Sequence, residues 1–164
     1  MENDFARRGR RNEMKLKWIV MAVTFVLGFS GVIVAQSPDF TQVTSPFQDE
    51  FEYSVNTDLR PGVEVDGVRW ARFGVHTKEG KEIVADKEIP VTVELDFVNQ
   101  ESSGARILVI VLFEDQHGTP LDRIECNPVR ANAERRKESV QKFKLAGNVL
   151  LAARKVYLFC EVER

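Results

Sequence analysis

Hydrophobic and polar positions alternate with a period of two along much of the chain after residue 63. Residues 91–97 read Val-Thr-Val-Glu-Leu-Asp-Phe and alternate without an error. Because successive side chains of a strand point to opposite faces, this segment predicts a strand with one buried and one solvated face. Residues 107–113 are apolar throughout and rich in Val and Ile, which predicts a central strand covered on both sides.

Four further segments have the composition of strands: residues 68–76, 121–126, 138–145 and 155–162. Residues 99–104 and 114–120 contain Asn, Asp, Ser and Gly, which favour loops and turns. Residues 131–142 and 149–154 are also compatible with helix, and we interpret the first as a loop that enters a strand and the second as one helical turn. At least six short strands predict an all-β antiparallel sandwich over residues 63–164, with a small barrel as the alternative.

The first 35 residues have another pattern, a basic stretch followed by an apolar run at residues 18–35 that ends just before Gln-Ser-Pro. This order is typical of a secretory signal helix, and we predict cleavage between Ala35 and Gln36. The run of 18 residues is also long enough to stay as a transmembrane helix. Either outcome places the rest of the chain outside the cytoplasm, in the periplasm, at the cell surface or secreted, and confines membrane contact to this segment.

The charge of the exported part limits what it is expected to bind. The whole chain carries −2 and its first 35 residues carry six basic and three acidic side chains, which leaves −5 for the remainder. Binding to nucleic acid needs a basic surface that neutralises phosphates, so no nucleic-acid partner is expected. Residues 36–62 are rich in acidic residues, Ser, Thr and Pro, and predict an acidic tether before the domain. Its aromatic residues either attach it to the domain surface or dock on a partner.

The turn after the apolar strand has the order Phe-Glu-Asp-x-x-Gly-x-Pro-Leu at residues 113–121. With the alternating strand and the Ser-Gly loop before it, this order resembles immunoglobulin-like sandwich domains of bacterial envelope proteins, including the group known by the F-x-L-Y-D pattern. The resemblance covers residues 89–162 and departs at residues 112–115, where Leu-Phe-Glu-Asp lacks an aromatic residue directly before Asp. It implies an immunoglobulin-like fold that acts as a binding or structural module without catalysis.

Two cysteines remain in the exported part, Cys126 and Cys160. An even count in an oxidising compartment favours a disulfide, and each cysteine shares a strand face with apolar neighbours. A bridge would close a loop of about 35 residues and stabilise the fold by roughly 4 kcal/mol in the chain-entropy model. The alternative is a pair of buried thiols on strands that never meet.

The sequence contains no recognisable motif for catalysis, a metal or a cofactor. His76 and His117 are its only histidines, and neither lies at ligand spacing from Cys, Asp or Glu together with a second His. A G-x-S-x-G nucleophile motif and a Gly-rich phosphate loop are also missing. We therefore expect no enzyme activity and no cofactor. A hydrolase or metal carrier would require dispersed residues to converge in one cleft.

Two groups of residues are candidates for recognition. Trp70 lies beside Arg69 and Arg72 and is out of phase with the inward side chains of its strand, so it is a candidate for contact with a sugar or a protein. The alternative is that it covers the edge of the core. Four basic residues between positions 130 and 137 either meet an acidic partner or form a solvated loop.

These patterns together predict an exported module that acts by binding or structural support in the cell envelope. Its expected partner is another envelope protein or a glycan. A carbohydrate-binding module is the alternative function, and it requires Trp70 and Tyr53, or another aromatic residue, to be exposed on one flat patch.

Overall fold

The computed structural model describes residues 39–164, which fold into eleven strands and one short helix. They are β1 (Thr41–Val43), β2 (Phe47–Glu52), β3 (Asp58–Leu59), β4 (Val63–Val65), β5 (Val68–Thr77), β6 (Glu88–Asn99), β7 (Ala105–Glu114), β8 (Pro120–Glu125), β9 (Val129–Ala131), β10 (Arg136–Ala146), α1 (Gly147–Ala152) and β11 (Lys155–Glu163). The predicted signal segment at residues 1–35, with its cleavage site at Ala35 and Gln36, lies outside the described residues. Within residues 39–164, no helix has the length and apolar character that crossing a membrane requires.

Six strands form one sheet, here called sheet A. Its spatial order is β1-β4-β5-β6-β10, and β3 lies beside β5 next to β4. The long strand β6 occupies the centre and pairs in antiparallel register with β5 on one side and β10 on the other. The short pair β1–β4 is parallel, so the prediction of a purely antiparallel architecture is wrong at this edge.

The other five strands form sheet B, in the order β2-β11-β7-β8, with β9 also beside β7. Strand β7 contains the apolar run of residues 107–113 and is central, as predicted, with antiparallel partners on both sides. In the described part of the chain no strand pair joins the two sheets, which excludes the barrel alternative.

One apolar core lies on the inner faces of the two sheets. Its largest aromatic contacts are in sheet A, where the Trp70 ring lies 5.4 Å from Phe97 and 6.2 Å from Phe73 between ring centroids. Across the core, Phe113 of β7 and Leu158 of β11 are fully buried. The alternation of buried and exposed side chains along β6 and β11 follows the period of two, so the all-β prediction is confirmed.

The segment predicted as an acidic tether belongs to the sheets from Thr41 onward. Strand β2 pairs with β11, and its Phe47 side chain is buried in the core. The polar and acidic residues of β2 hid this strand in the sequence, because Gln48, Glu50 and Glu52 occupy its outward positions and the exposed Asp49 interrupts the apolar inward ones. Strands β1, β2 and β3, all before residue 63, therefore belong to the two sheets of the domain.

A two-residue turn, Asp66-Gly67, joins β4 to β5 and sets their register, with Val65 opposite Val68. Both turn residues have positive φ, 42° at Asp66 and 75° at Gly67. A type I′ hairpin requires this conformation at both central positions, and Asp-Gly is among the sequences that favour it.

Two buried amide side chains connect the strands to loops from elsewhere in the domain. Asn99 donates through Nδ2 to the carbonyl oxygens of Ser103 (2.7 Å) and Asn132 (3.1 Å). Gln141 of β10 accepts from the Asn127 backbone N–H at 2.7 Å and donates to the Asn127 carbonyl at 2.9 Å. The Gln141 amide thus bonds to the Asn127 backbone as a neighbouring strand would. These bonds connect the edge of sheet A to the β8–β9 loop of sheet B.

Tyr53 follows β2, and its ring packs edge-on against Phe113 with centroids 5.5 Å apart. Its hydroxyl is buried, and it has no hydrogen-bond partner among the described residues. Loss of solvent through burial raises the pKa of Tyr53 above its ordinary value. A buried hydroxyl without a partner has lost its bonds to water without replacement, which destabilises the folded state.

Replacing Tyr53 by Phe keeps the ring contact and removes the unpaired hydroxyl. We expect Tyr53→Phe to leave the free energy of unfolding unchanged or to raise it by up to about 1 kcal/mol, measured by urea denaturation. Tyr157→Phe, at a half-exposed position on sheet B, is the matched control and should change stability by less than about 0.5 kcal/mol. A loss of more than about 1 kcal/mol in Tyr53→Phe would mean that the hydroxyl makes a stabilising bond.

Candidate functional site

Trp70 does not contribute to an exposed recognition site, because it is fully buried in sheet A. Its indole N–H donates to the Arg72 carbonyl at 3.0 Å. The expectation of exposure assumed regular alternation between Trp70 and Phe73. A β-bulge between Trp70 and Arg72 inserts one extra residue, so that Trp70 and Phe73 both face inward. Tyr53 is buried too, so neither aromatic side chain required by the carbohydrate-binding alternative lies on a surface patch.

Arg69 and Arg72 do lie on the outer face of sheet A, but each is engaged within the domain. Arg69 bonds to Glu64 at 2.8 Å and lies over the Phe40 ring at 5.2 Å. Arg72 is 3.4 Å from Asp58 and 3.3 Å from Glu94. The structure therefore separates the predicted trio into one core residue and two ion-paired surface residues.

The basic residues predicted between positions 130 and 137 are also separated. Arg136 lies on the outer face of sheet A and holds Asp96 with two bonds, Nε to Oδ1 at 2.9 Å and Nη2 to Oδ2 at 2.5 Å. The Asp96 carboxylate is almost fully buried, and its hydrogen bond to Arg136 raises the pKa of the guanidinium. Arg130 lies on the outer face of sheet B. Ion pairs thus engage the arginines on the outer face of sheet A that the sequence pointed to.

A histidine–carboxylate pair lies over Gly74 on sheet A. His76 Nε2 is 3.0 Å from Asp58 Oδ1, and a Cβ at Gly74 would come within 2.6 Å of both atoms. The missing side chain of Gly74 is what leaves room for this pair. A histidine oriented by a carboxylate is suited to proton transfer. Among the described residues, however, no hydroxyl or thiol hydrogen-bonds to His76.

His117 lies elsewhere, in the turn between β7 and β8. Asp115 accepts the backbone N–H groups of His117 (2.8 Å) and Thr119 (2.9 Å), as expected for a turn aspartate. The Thr119 bond is the larger cause that lowers the pKa of Asp115. In the described part of the chain, no group of three His, Cys, Asp or Glu side chains is arranged to hold a metal ion.

Of the two alternatives for Cys126 and Cys160, a disulfide or a pair of buried thiols, the structure has the second, since both residues are free thiols. The pairing of the strands explains why the two cysteines do not form a disulfide. Cys160 of β11 lies opposite Val109 of β7, while the Cys126 backbone N–H bonds to the Val109 carbonyl from the other side. One strand therefore separates the cysteines, and two strand spacings of about 4.8 Å exceed the 7 Å or so that a disulfide spans. Their expected burial in the core is confirmed.

An apolar surface, here called the outer strip, runs across the outward side of sheet B. It consists of five half-buried side chains from the two central strands: Leu108, Ile110, Leu112, Tyr157 and Phe159. The sequence predicted cover on both sides of this run, but the described residues leave its outer side half-exposed. Neighbouring apolar side chains that stay partly exposed on an outer face are typical of interaction sites.

The register shows how polar residues flank the outer strip. One row across the sheet reads Gln48, Phe159, Ile110 and Glu125, and the next reads Glu50, Tyr157, Leu112 and Arg123. Two apolar side chains thus lie between polar ones in each row. On the β2 side the flank is acidic, and Glu50 bonds to Lys155 at 2.6 Å, which raises the pKa of the lysine.

The two thiols generate a prediction about reactivity. Burial raises the pKa of Cys126 and of Cys160 to about 12, and the thiolate is the reactive form. We expect a disulfide-type thiol reagent at pH 8 to label neither cysteine in the folded protein and both in guanidinium. Burial disfavours the thiolate only in the folded state. The contribution of the two thiols to stability is therefore complete below the unfolded pKa of about 8.5 and declines as the pH rises toward 12. Rapid labelling of either folded thiol, or the mass of an oxidised pair, would contradict this result.

In comparisons with known proteins, no protein-family model and no curated protein matches the chain.

Proposed function

We propose that the chain is an exported, non-catalytic binding module of the cell envelope, and that the outer strip of sheet B is its docking surface. Export is supported by the basic stretch and apolar run of residues 1–35. The immunoglobulin-like character is supported by the resemblance over residues 89–162 and by the two-sheet fold. Domains of that kind act through surfaces rather than through clefts.

The observation that carries this proposal is the contrast between the two outer faces. On sheet A most outward positions are charged or polar, and several of the charges pair with one another, as in Arg136 with Asp96 and Arg69 with Glu64. On sheet B the two central strands present large apolar side chains instead, among them Ile110 and Phe159. An outer face with no further layer is ordinarily polar, so its apolar side chains indicate contact with a second molecule.

The charges around the outer strip specify the chemistry of the occupant. Glu50, Glu52 and Glu161 lie on the outward side of β2 and β11, and Lys155 pairs with the first of them. This flank keeps an excess of two negative charges. The proposed occupant is therefore a folded exported protein that has an apolar contact surface with basic residues along one edge, because complementary charges fix orientation at such interfaces.

The proposal is tested with Ile110→Gln, which places a neutral polar side chain in the middle of the outer strip. Val140→Gln is the matched control, because Val140 is an exposed apolar residue (64% of its surface) on the outer face of sheet A. Full-length wild type and both variants are used to capture proteins from envelope extracts, and the captured protein is then purified and titrated against each by calorimetry. We expect wild type and Val140→Gln to bind it alike and Ile110→Gln to bind at least about tenfold more weakly, as for a residue at the centre of an interface.

Two results would contradict the proposal. The first is equal binding by Ile110→Gln, which would locate the contact elsewhere on the domain. The second is self-association of the wild type, seen by sedimentation and lost in Ile110→Gln. That result would make a second copy of the chain the occupant in place of a different protein.

A further inference from the structure

Two arginines lie directly opposite each other at one end of sheet B. Arg106 of β7 and Arg130 of β9 are paired in the ladder, so their side chains share the outer face. Like charges in this relation repel, and they are unfavourable in a sheet unless something anionic lies between them. On its other side Arg106 faces Glu163 of β11, and the two side chains form an ion pair at 2.5 Å.

Arg130 is exposed and forms no ion pair with the described residues. A third guanidinium, that of Arg164, stands nearby and is held by neutral acceptors: it donates to Ser103 Oγ at 3.0 Å and to the Asp66 carbonyl. Among the side chains that line the hollow, three are arginines and one, Glu163, is a carboxylate. Within the described part of the chain, Arg130 is thus a guanidinium without an ion pair, in contrast to the paired arginines of sheet A.

These side chains surround a hollow of about 380 Å³. Three small residues, Gly104, Ala105 and Ala131, also line the hollow. The hollow adjoins the outer strip, since Leu108 follows Arg106 on the same face of β7 at a spacing of about 7 Å.

We infer that the hollow binds a carboxylate carried by the docking partner. The planar guanidinium matches a carboxylate with two parallel hydrogen bonds, and Arg130 and Arg106 can share one such group. Leu108, the apolar residue next to the hollow, favours a carboxylate on a protein surface over a free anion. It would contact apolar side chains of the partner beside the acidic residue. The partner would thus present an acidic residue at the end of its apolar contact. This inference rests on the proposed docking surface and adds the chemistry of one end of it.

The test measures binding of a fluorescein-labelled hexaglutamate peptide to the full-length chain in neutral detergent, by fluorescence anisotropy at low salt. We expect saturable binding to wild type and at least about tenfold weaker binding to Arg130→Gln. Arg123→Gln is the matched control, since Arg123 lies on the same sheet but pairs with Glu125 at 2.8 Å, and it should bind as wild type does. Removing Arg130 also relieves repulsion, so the thermal midpoint of Arg130→Gln should equal or exceed that of wild type.

Competition identifies the anion. Unlabelled hexaglutamate should displace the labelled peptide, whereas inorganic phosphate at the same concentration should not. Equal displacement by phosphate would overturn the carboxylate assignment, and equal binding by Arg130→Gln would overturn the site. The variant Ile110→Gln distinguishes this inference from the docking proposal. Ile110 does not line the hollow, so the variant should still bind hexaglutamate even if it no longer binds the captured protein.

Discussion

The whole structure depends on the inward packing of one face of each sheet, with β6 at the centre of one sheet and β7 at the centre of the other. Side chains of a strand alternate between two faces, so packing of the inward side chains fixes which residues are left on the outer face. In sheet A the core is anchored by Trp70, Phe73 and Phe97, and the outward residues are charged and paired. In sheet B the same inward packing leaves apolar residues on the outside as well.

The position of one extra residue illustrates how strongly this constraint acts. The bulge between Trp70 and Arg72 changes the phase of β5, which brings Trp70 into the core and keeps both Arg69 and Arg72 on the surface. Without that residue Trp70 and Phe73 would lie on opposite faces of the strand, and the core would lose one of these two aromatic side chains. A local irregularity of the ladder thus decides whether the most conspicuous aromatic residue of the domain is structural or available for binding.

The sequence was sufficient for the fold class and for the long strands, because their alternation is a direct record of which side chains are buried. Prediction failed where the alternation is hidden by polar residues or the strand is very short. Strand β2 looks polar because three of its six residues point outward as Gln or Glu, and β9 has only three residues. The cysteines were correctly expected in the core, but the number of strands between them depends on pairing, which periodicity does not encode. The arginine hollow was equally out of reach, since it requires the register of β7 against β9.

The central claim is that the outward apolar residues of β7 are present for binding and the inward ones for folding. It is tested most directly by comparing urea unfolding of Ile110→Thr and Val111→Thr, neighbours on opposite faces of the same strand. We predict that Ile110→Thr lowers the free energy of unfolding by less than about 1 kcal/mol, whereas Val111→Thr, which buries a hydroxyl in the core, lowers it by about 2 kcal/mol or more. Equal losses at the two positions would show that the outer strip is part of the folding core and would contradict its assignment as a docking surface.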